Sequence, residues 1–429
     1  MSDIVNLKPE AVWRFFDEIT RIPRPSKKEE KIVAYLIDFA KSRSLEYRKD
    51  STGNVVIRKG ASPGMENRPV VVLQSHVDMV CEKRGDVNFH FDTDPIRTRV
   101  EDGWMRAEGT TLGADCGIGM AAELAVLDAD DLAHGPVECL FTVDEETGLT
   151  GAFGLGEGML SGKYLINLDS EDEGQLFIGC AGGIDTVATM RYRQEEAPKN
   201  YDFFRIDIGG LLGGHSGDDI DKGRVNSNKT VARLLWDGMQ STEMRLVYLD
   251  GGNLRNAIPR EAFAVFGVPS RDAKRLRELF EEYVRGVGQE FAPVEKSMEI
   301  TLSEMPEPDT VIDADAQRYL LYALCGLPNG VLAMSPTMPG MVETSTNLAS
   351  VKFVGDRLIE ITTSQRSSIE SARDAAAASV ESVLLLGGGD VTHSDGYPGW
   401  APDPESHLLA VTIEAYEKLF GNKPLVRSI

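Results

Sequence analysis

The sequence lacks the features that mark secreted, membrane and nucleic-acid-binding proteins. It has no basic N-terminal stretch followed by an apolar run, and no apolar run is long enough to cross a bilayer. Lysine and arginine total 45 against 68 aspartates and glutamates, so the formal charge is −23. Because such a surface repels phosphate backbones and anionic membranes, neither nucleic acid nor a membrane is expected as a partner.

Cysteine is scarce as well. The five cysteines are odd in number, scattered and free of any C-x-x-C pair: Cys81, Cys116, Cys139, Cys180 and Cys325. Disulfide frameworks belong to oxidising compartments, whereas cytoplasmic proteins keep their thiols reduced. The sequence therefore predicts a cytoplasmic protein with free cysteines.

The chain does contain enough residues for two hydrophobic cores, since 429 residues exceed what one core usually fills. Three continuous apolar runs predict strands that are buried on both faces, at residues 69–74, 137–143 and 164–168. A helix is predicted between the first two runs, at residues 117–127. This alternation predicts an α/β domain with a parallel or mixed sheet.

Two more helices are predicted before the first strand, at residues 8–22 and 26–41. Ser26 is expected to cap the second of them, with Glu29 completing a capping box. The pattern changes after Gly183, where alternating strands at residues 184–193 and 201–208 begin an α+β region. Helices are then expected at residues 227–239, 271–287, 313–323 and 405–419.

Acidic and histidine residues follow the predicted strands. They are His76 and Asp78, Asp115, the pair Glu145 and Glu146, and Asp169. In open α/β sheets, sites form beyond the carboxyl ends of the strands, so residues that are distant in sequence can converge there. Each of them has an ordinary structural explanation on its own, such as a solvated acidic pair or a turn cap. Together, in this order, they favour a metal site.

The chemistry of this set suits zinc, and less selectively cobalt or manganese. Two metal ions that share a carboxylate could hold a hydroxide between them and polarise a carbonyl. Neighbouring residues of an extended chain point to opposite sides, so one of Glu145 and Glu146 could bind metal while the other acts as general base. Asp78, two residues after His76, could fix the orientation of the imidazole.

The segments around these residues resemble the successive blocks of the M20-type metallopeptidases: SHVDMV, TTLGADCGIGMA, FTVDEETGLTGA, LINLDSEDEG and GCAGG. More narrowly they resemble the aminoacyl-histidine dipeptidase branch (the Xaa-His, or peptidase D, type). Further blocks of the same kind are IPRPS, GLLGGHSGDDIDKGR, GGNLRNAIPRE, ETSTNLASV and SQRSS. The resemblance runs from about Ile22 to the end of the chain.

The resemblance implies a metal-dependent dipeptidase with two Zn²⁺ ions, or Co²⁺ or Mn²⁺ in their place, that hydrolyses small dipeptides, preferably Xaa-His, through a hydroxide held by both ions. Asp115 would bridge the ions, and Glu146 would complete one of them. His76 and Asp169 would each bind one ion or the other. Glu145 would be the general base, with Asp78 orienting His76.

Three further residues gain a role from the resemblance. His215, in a glycine-rich turn, would polarise the scissile carbonyl and steady the oxyanion. Arg366 could grip the terminal carboxylate of the dipeptide, and Asn256 could hydrogen-bond the substrate. The alternatives are a locally bonded turn histidine, a surface ion pair and a strand-end turn. The remaining histidines are expected to be surface or loop residues: His90, His134, His393 and His407.

The implied fold is a zinc-peptidase-like α/β catalytic domain with a mixed sheet, interrupted by an inserted α+β lid or dimerisation domain. We expect the catalytic domain at residues 1–185 and 392–429, the inserted domain at residues 186–391, and a homodimer formed through the inserted domain. The second catalytic segment resembles a truncated form of the family's.

Two departures from the family pattern leave alternatives open. Cys116 stands where the family usually has Asn or Asp, and the family's last metal-binding histidine has no counterpart before Ile429. A non-catalytic relative that binds peptide or metal therefore remains an alternative. So does a broader M20-type dipeptidase or aminoacylase.

Overall fold

The computed structural model describes residues 4, 7–355 and 357–428. It divides into two compact units, Met1–Glu173 and Gly174–Ile429. Within the described residues, we find no helix with the length and apolar character needed to cross a membrane.

The first unit has the predicted α/β alternation. Its elements, in chain order, are α1 (Glu10–Thr20), α2 (Glu30–Ser42), β1 (Glu46–Lys49), β2 (Val55–Lys59), β3 (Val71–His76), β4 (Thr98–Glu101), β5 (Trp104–Ala107), α3 (Ala114–Asp128), β6 (Val137–Thr142), α4 (Thr150–Phe153) and β7 (Tyr164–Asn167).

Five described strands form the sheet of this unit in the order β1-β2-β6-β3-β7. Strand β3 runs parallel to both β6 and β7, whereas β2 is antiparallel to β1 and β6, so the sheet is mixed as predicted. Every residue of β6 is buried, as expected for a central strand that is covered on both faces. Phe15 and Phe16 of α1 and Leu124 of α3 share one buried core with Ile57 and Phe141 of the sheet.

Because β3, β6 and β7 are parallel, their carboxyl ends lie at one edge of the sheet. Strand β3 ends at His76, β6 ends two residues before Asp144, and β7 ends two residues before Asp169. Helix α3, which follows the loop at Gly113, carries Asp115 in its first turn. The fold therefore places the predicted site residues on neighbouring segments.

The second unit is α+β. Its elements are β8 (Gln175–Phe177), β9 (Gly182–Arg191), β10 (Gln194–Glu196), β11 (Tyr201–Gly209), β12 (Gly214–His215), α5 (Ser227–Ser241), β13 (Arg245–Gly251), β14 (Ala257–Ile258), β15 (Ala262–Pro269), α6 (Ala273–Phe291), β16 (Glu299–Met305), β17 (Thr310–Ile312), α7 (Ala314–Gly326), β18 (Gly330–Met334), β19 (Val342–Val354), β20 (Leu358–Ser367), α8 (Glu370–Leu386), β21 (Asp390–His393), α9 (His407–Phe420) and β22 (Leu425–Arg427).

Nine of the described strands in this unit form one sheet, with β16-β11-β15-β13-β19-β20-β9-β21 in order and β18 beside β19. Helices α5 to α8 contribute to the core that forms on this sheet, through residues such as Leu235, Leu276, Leu320 and Val380. The predicted helices at residues 227–239, 271–287, 313–323 and 405–419 are confirmed to within a few residues at each end.

The expected start of the second helix is wrong. Helix α2 begins at Glu30, and its N-cap position, Glu29, makes no side-chain capping bond. The Ser26 hydroxyl donates instead to Asp78, at 2.8 Å, and the Glu29 carboxylate accepts the Lys27 and Asp144 N–H groups. Both residues are used by tertiary contacts rather than by a helix cap.

Candidate functional site

His76 is the centre of the candidate site in the first unit. The side chain is 1% exposed at the end of β3. Its Nδ1 atom lies 3.2 Å from an Asp78 carboxylate oxygen, and its Nε2 atom lies 2.7 Å from Asp115 and 3.4 Å from Asp169. Three of the other predicted residues, from three separate segments, thus contact the imidazole of His76 directly.

The segment before α3 has a distinctive backbone. Gly113 has φ of 69°, in the left-handed region, and the Asp115–Cys116 peptide bond is cis. Asp115 itself has non-helical angles, with ψ of 116°. The Cys116 thiol is buried, donates to the Leu168 carbonyl and can offer its sulfur within 4.8 Å of the donor atoms of His76 and Asp169.

The acidic pair after β6 is held by Asp78. The main-chain N–H groups of Glu145 and Glu146 donate to the two Asp78 carboxylate oxygens, at 3.0 and 3.2 Å. Ligand atoms of His76, Glu145 and Glu146 all lie within 4.8 Å of one another. Asp78, which is fully buried, therefore connects the imidazole to the loop that carries both glutamates.

The field at this site is strongly negative. Burial alone would lower the pKa of His76, but hydrogen bonds to Asp169 and Asp78 raise it to about 11. Burial raises the pKa of Glu145 to about 7, against the opposing charge of His76. Burial would also raise the pKa of Asp78, yet hydrogen bonds from His76, Glu145 and Ser26 hold it at about 2. A field that favours an imidazolium this strongly also favours a bound cation.

The donor set fits a divalent metal. One imidazole nitrogen and several carboxylate oxygens converge, and the second imidazole nitrogen is held by a carboxylate that is itself fixed by two backbone N–H groups. This is the arrangement that orients metal-binding histidines in proteins.

In the second unit, His215 lies on the short strand β12, after Gly213 and Gly214, whose φ angles are 58° and 139°. Its Nδ1 atom faces the N–H groups of Gly217 and Asp218, both at 3.3 Å. Two donors at Nδ1 favour the neutral tautomer with the hydrogen on Nε2. The Asp218 carboxylate also lies 3.3 Å from Nδ1.

Asn256 and Arg366 lie in the same neighbourhood as His215. The Asn256 carbonyl accepts the N–H of Ser216 at 2.8 Å, next to the pairing of His215 with Ala257. A Cβ atom at Gly217 would lie 3.2 Å from the His215 ring and 3.3 Å from an Arg366 nitrogen. The Arg366 Nε atom is buried, and among the described residues it has no hydrogen-bond partner.

The other histidines lie in surface or loop positions. His90 and His407 are exposed, His134 contacts the carbonyl of Gly135, and His393 pairs with Thr186 and Glu381. Sequence reasoning missed two residues that contact Asp78, namely Arg24 and Ser26. The only available signal was the similarity of the block IPRPS to a family block, and it gave these residues no role.

Comparisons with known proteins show the family of the chain. The model of Peptidase family M20/M25/M40 matches residues 72–429. The cytosol non-specific dipeptidase of Escherichia coli (strain K12) is 39% identical over 429 residues, which are 100% of this chain and 88% of that protein.

Two solved structures are similar as well. The aminoacylhistidine dipeptidase of Vibrio alginolyticus is 42% identical, with a TM-score of 0.97 over 100% of this chain and 87% of that one. Aminopeptidase PepT of Bacillus cereus, at 18% identity and a TM-score of 0.53, covers 98% of this chain and 84% of its own, and shows the fold alone.

The fold and these relatives thus define a peptidase, and the chain belongs to Peptidase family M20/M25/M40. Within that family it is a dipeptidase, and the resemblance to the aminoacyl-histidine dipeptidase branch is confirmed.

Proposed function

We propose that the chain hydrolyses small dipeptides, Xaa-His among them, at a centre of two divalent metal ions. The observation that carries this proposal is the approach of Asp115 and Asp169 to Nε2 of His76, at 2.7 and 3.4 Å. His76, Asp115, Glu146 and Asp169 would hold the ions, with Asp115 shared between them. Zn²⁺ is the favoured metal, and the same ligands accept Co²⁺ or Mn²⁺.

The ions, when bound, would supply Lewis acidity and lower the pKa of water. Glu145 is proposed to accept the proton of the attacking water and to deliver it to the leaving amine. The support is the position of Glu145, which is next in sequence to the proposed ligand Glu146. Ligand atoms of Glu145, Glu146 and His76 all lie within 4.8 Å of one another. Asp78 is proposed to orient His76 and to fix this loop.

The proposed role of His215 is to donate from Nε2 to the scissile carbonyl oxygen, which becomes the oxyanion. Its two backbone donors at Nδ1 support this role. Arg366 is proposed to bind the terminal carboxylate of the dipeptide, supported by its buried Nε atom. Asn256 is proposed to hydrogen-bond the substrate.

The substitution Glu145→Gln tests the assignment of the general base. Turnover should fall by about 10²- to 10⁴-fold, since proton transfer by a positioned side chain contributes on that order. Metal binding, measured by calorimetry, should remain, because Glu145 is not a proposed ligand. The matched control is Glu157→Gln, at an exposed loop residue of the same unit, which should leave turnover unchanged. Full turnover in Glu145→Gln would refute the role.

A substrate panel tests the specificity. The relatives are named a non-specific dipeptidase and an aminoacylhistidine dipeptidase, so we expect hydrolysis of Gly-His and of several other dipeptides. Cleavage of N-acyl amino acids in preference to dipeptides would indicate an aminoacylase instead. Metal binding without any turnover would indicate a non-catalytic relative. Each assay is run with added Zn²⁺ and with a chelator.

The domain division, the oligomeric state and the cellular location of the chain are also proposals. We propose a catalytic domain of residues 1–185 and 392–429 with an inserted domain at residues 186–391, through which two chains form a homodimer. Sedimentation velocity tests the dimer, and mixing Glu145→Gln with His215→Ala chains tests whether a partner can supply His215. A cytoplasmic location is supported by the free state of all five cysteines and by the name of the E. coli relative.

A further inference from the structure

Arg24 is a buried cation behind the candidate metal centre, and the mechanism above gives it no role. The side chain is 2% exposed and lies in the loop between α1 and α2. The residue after it, Pro25, forms a parallel bridge with Met79 just beyond β3. An arginine of this kind is unusual, because burying a charge is costly unless its hydrogen bonds are satisfied.

The guanidinium connects two segments that carry proposed metal ligands. Nη1 donates to the carbonyl oxygens of Val77 and Asp78, at 2.9 and 2.6 Å, immediately after His76. Nη2 donates to the carbonyl of Gly113, two residues before Asp115. One rigid planar group thus spans the exit of β3 and the entry to α3, which a flexible point charge could not do as well.

The chain also leaves room for this group. A Cβ atom at Gly113 would lie 2.5 Å from Arg24 Nη2, and one at Gly117 would lie 2.8 Å from the same nitrogen. Both glycines flank Asp115 on the segment that the guanidinium holds. Glycine at these two positions therefore leaves space beside Asp115 that the Arg24 guanidinium fills. This is independent of the hydrogen bonds.

Charge gives a second reason for the placement. The three acceptors of Arg24 are main-chain carbonyls and not carboxylates, so none of them neutralises its positive charge. Asp78 and Asp115 are close enough to favour the charged guanidinium, although burial acts against it. A fixed cation behind the site offsets the repulsion among carboxylates that must converge on metal ions.

We propose that Arg24 is a positioning residue, which holds the His76–Asp78 and Gly113–Asp115 segments at the spacing required for metal binding. This inference rests on the proposed function, because it concerns the metal centre of that same site. Arg24 contacts neither substrate nor, by this proposal, metal. Its effect passes through the two backbone segments, and outer-shell contacts of this kind typically change metal affinity by about 10- to 100-fold.

The test measures Co²⁺ binding to the metal-free chain by absorption spectroscopy, since the visible spectrum of Co²⁺ reports the coordination geometry. In Arg24→Met the dissociation constant for Co²⁺ should rise about 10- to 100-fold, and the spectrum should change. Arg24→Lys keeps the charge but loses the planar fork, so it should show a smaller rise. Circular dichroism establishes that each variant is folded.

Arg58→Met is the matched control. Arg58 is also largely buried in the first unit, where it donates to Glu138 and to the Met159 carbonyl, on residues that are not proposed ligands. It should lower the melting temperature yet leave the Co²⁺ affinity and spectrum unchanged. If Arg24 had only a structural role, Arg24→Met would likewise lower the melting temperature and leave the Co²⁺ affinity and spectrum unchanged.

A second variant covers the case in which Arg24→Met does not fold. Gly117→Ala retains Arg24 and pushes a methyl group against its Nη2 atom. It should weaken Co²⁺ binding in the same direction, by about threefold or more. Wild-type affinity and spectrum in both Arg24→Lys and Gly117→Ala would overturn the role of Arg24. If the unsubstituted chain bound no Co²⁺, the proposed metal centre itself would fail.

Discussion

Two buried glutamates of the first unit lie in opposite environments. Glu138 is 2% exposed and accepts bonds from Arg58 and from the N–H groups of Ser161 and Gly162. Burial alone would raise the pKa of Glu138, but these bonds hold it below its ordinary value. Glu123 is fully buried on α3, and neither carboxyl oxygen has a hydrogen-bond partner among the described residues.

Burial raises the pKa of Glu123 well above its ordinary value. The Ser75 side chain lowers this pKa, but by less than burial raises it. The neutral acid is therefore the stable form in the fold, and Cys139 and Cys116 are the other titratable groups near it. Between pH 4.5 and the raised pKa of Glu123 in the fold, the unfolded state has lost this proton while the folded state retains it. The free energy of unfolding should consequently fall with rising pH, by at most about 1.4 kcal/mol per unit.

The substitution Glu123→Gln should remove this dependence, because the amide stays neutral in both states. The difference in melting temperature between the variant and the unsubstituted chain should widen in favour of the variant as the pH rises from 4.5 toward the raised pKa of Glu123. Thermal unfolding followed by circular dichroism at each pH measures it. Glu138→Gln is the control, and it should destabilise the chain by a similar amount throughout this range. Parallel curves for Glu123→Gln and the unsubstituted chain would contradict the prediction.

At the scale of elements, the segment between β11 and α5 is tied at both ends by one side chain. Glu295, which is 5% exposed, accepts the N–H groups of Leu212 and Val225, at 2.9 and 3.0 Å. This segment carries His215, and Asp219 accepts the N–H of His215 within it. The position of the imidazole therefore depends on a carboxylate that lies 80 residues further along the chain.

Glu295→Gln should loosen this segment. The amide nitrogen of glutamine would face a backbone N–H, so one hydrogen bond to a charged group is lost, at a cost of about 1–3 kcal/mol. Amide hydrogen exchange in residues 210–226 should become faster, and turnover should fall. Glu290→Gln, which removes an exposed pair with Arg233, should change stability by less than about 0.5 kcal/mol. Unchanged exchange in Glu295→Gln would show that the carboxylate does not hold the segment.

The strands of the first unit show how much of the fold the sequence could predict. Continuous apolar runs identified the positions of β3, β6 and β7. Every residue of β6 is buried, as expected for a strand covered on both faces. The same expectation is wrong for β7, which ends the order of the described sheet and has Leu165 46% exposed. The parallel order of the three strands then brought His76, Glu145, Glu146 and Asp169 to one edge, as expected.

Local signals failed where a tertiary partner competed for the same group. Ser26 and Glu29 have the spacing of a capping box, yet Asp78 and the Asp144 N–H take them. The block IPRPS contains Arg24 but gave it no role, since its acceptors are main-chain carbonyls, which no residue pattern identifies. The roles of the site residues and the three-segment division of the chain stay predictions.

At the scale of the whole molecule, the proposed metal centre lies within the first of the two compact units. Its donors come from the end of β3, the start of α3 and the loops after β6 and β7, which are brought together with several negative charges. Binding of a cation to the folded chain alone shifts the folding equilibrium toward that state. Metal should therefore stabilise these segments in particular.

Removal of the metal should lower the melting temperature of the chain. At a Zn²⁺ concentration about 1,000 times the dissociation constant, the stabilisation should approach about 4 kcal/mol. Amide hydrogen exchange with Zn²⁺ and with chelator should locate the protection at residues 76–78, 113–116, 144–147 and 167–169. Exchange is the sharper measurement, because a melting temperature does not identify which segment responds.

Two variants separate metal binding from catalysis in this experiment. Asp115→Asn removes the proposed shared ligand, so most of the Zn²⁺-dependent protection should disappear. Glu145→Gln removes only the proposed base, so the protection should remain while turnover is lost. If Zn²⁺ protected both variants equally, Asp115 would not be a ligand, and the approach of its carboxylate to His76 would have to be explained by the imidazolium alone. Protection that is lost only in Asp115→Asn would establish that the carboxylates around His76 converge in order to hold metal.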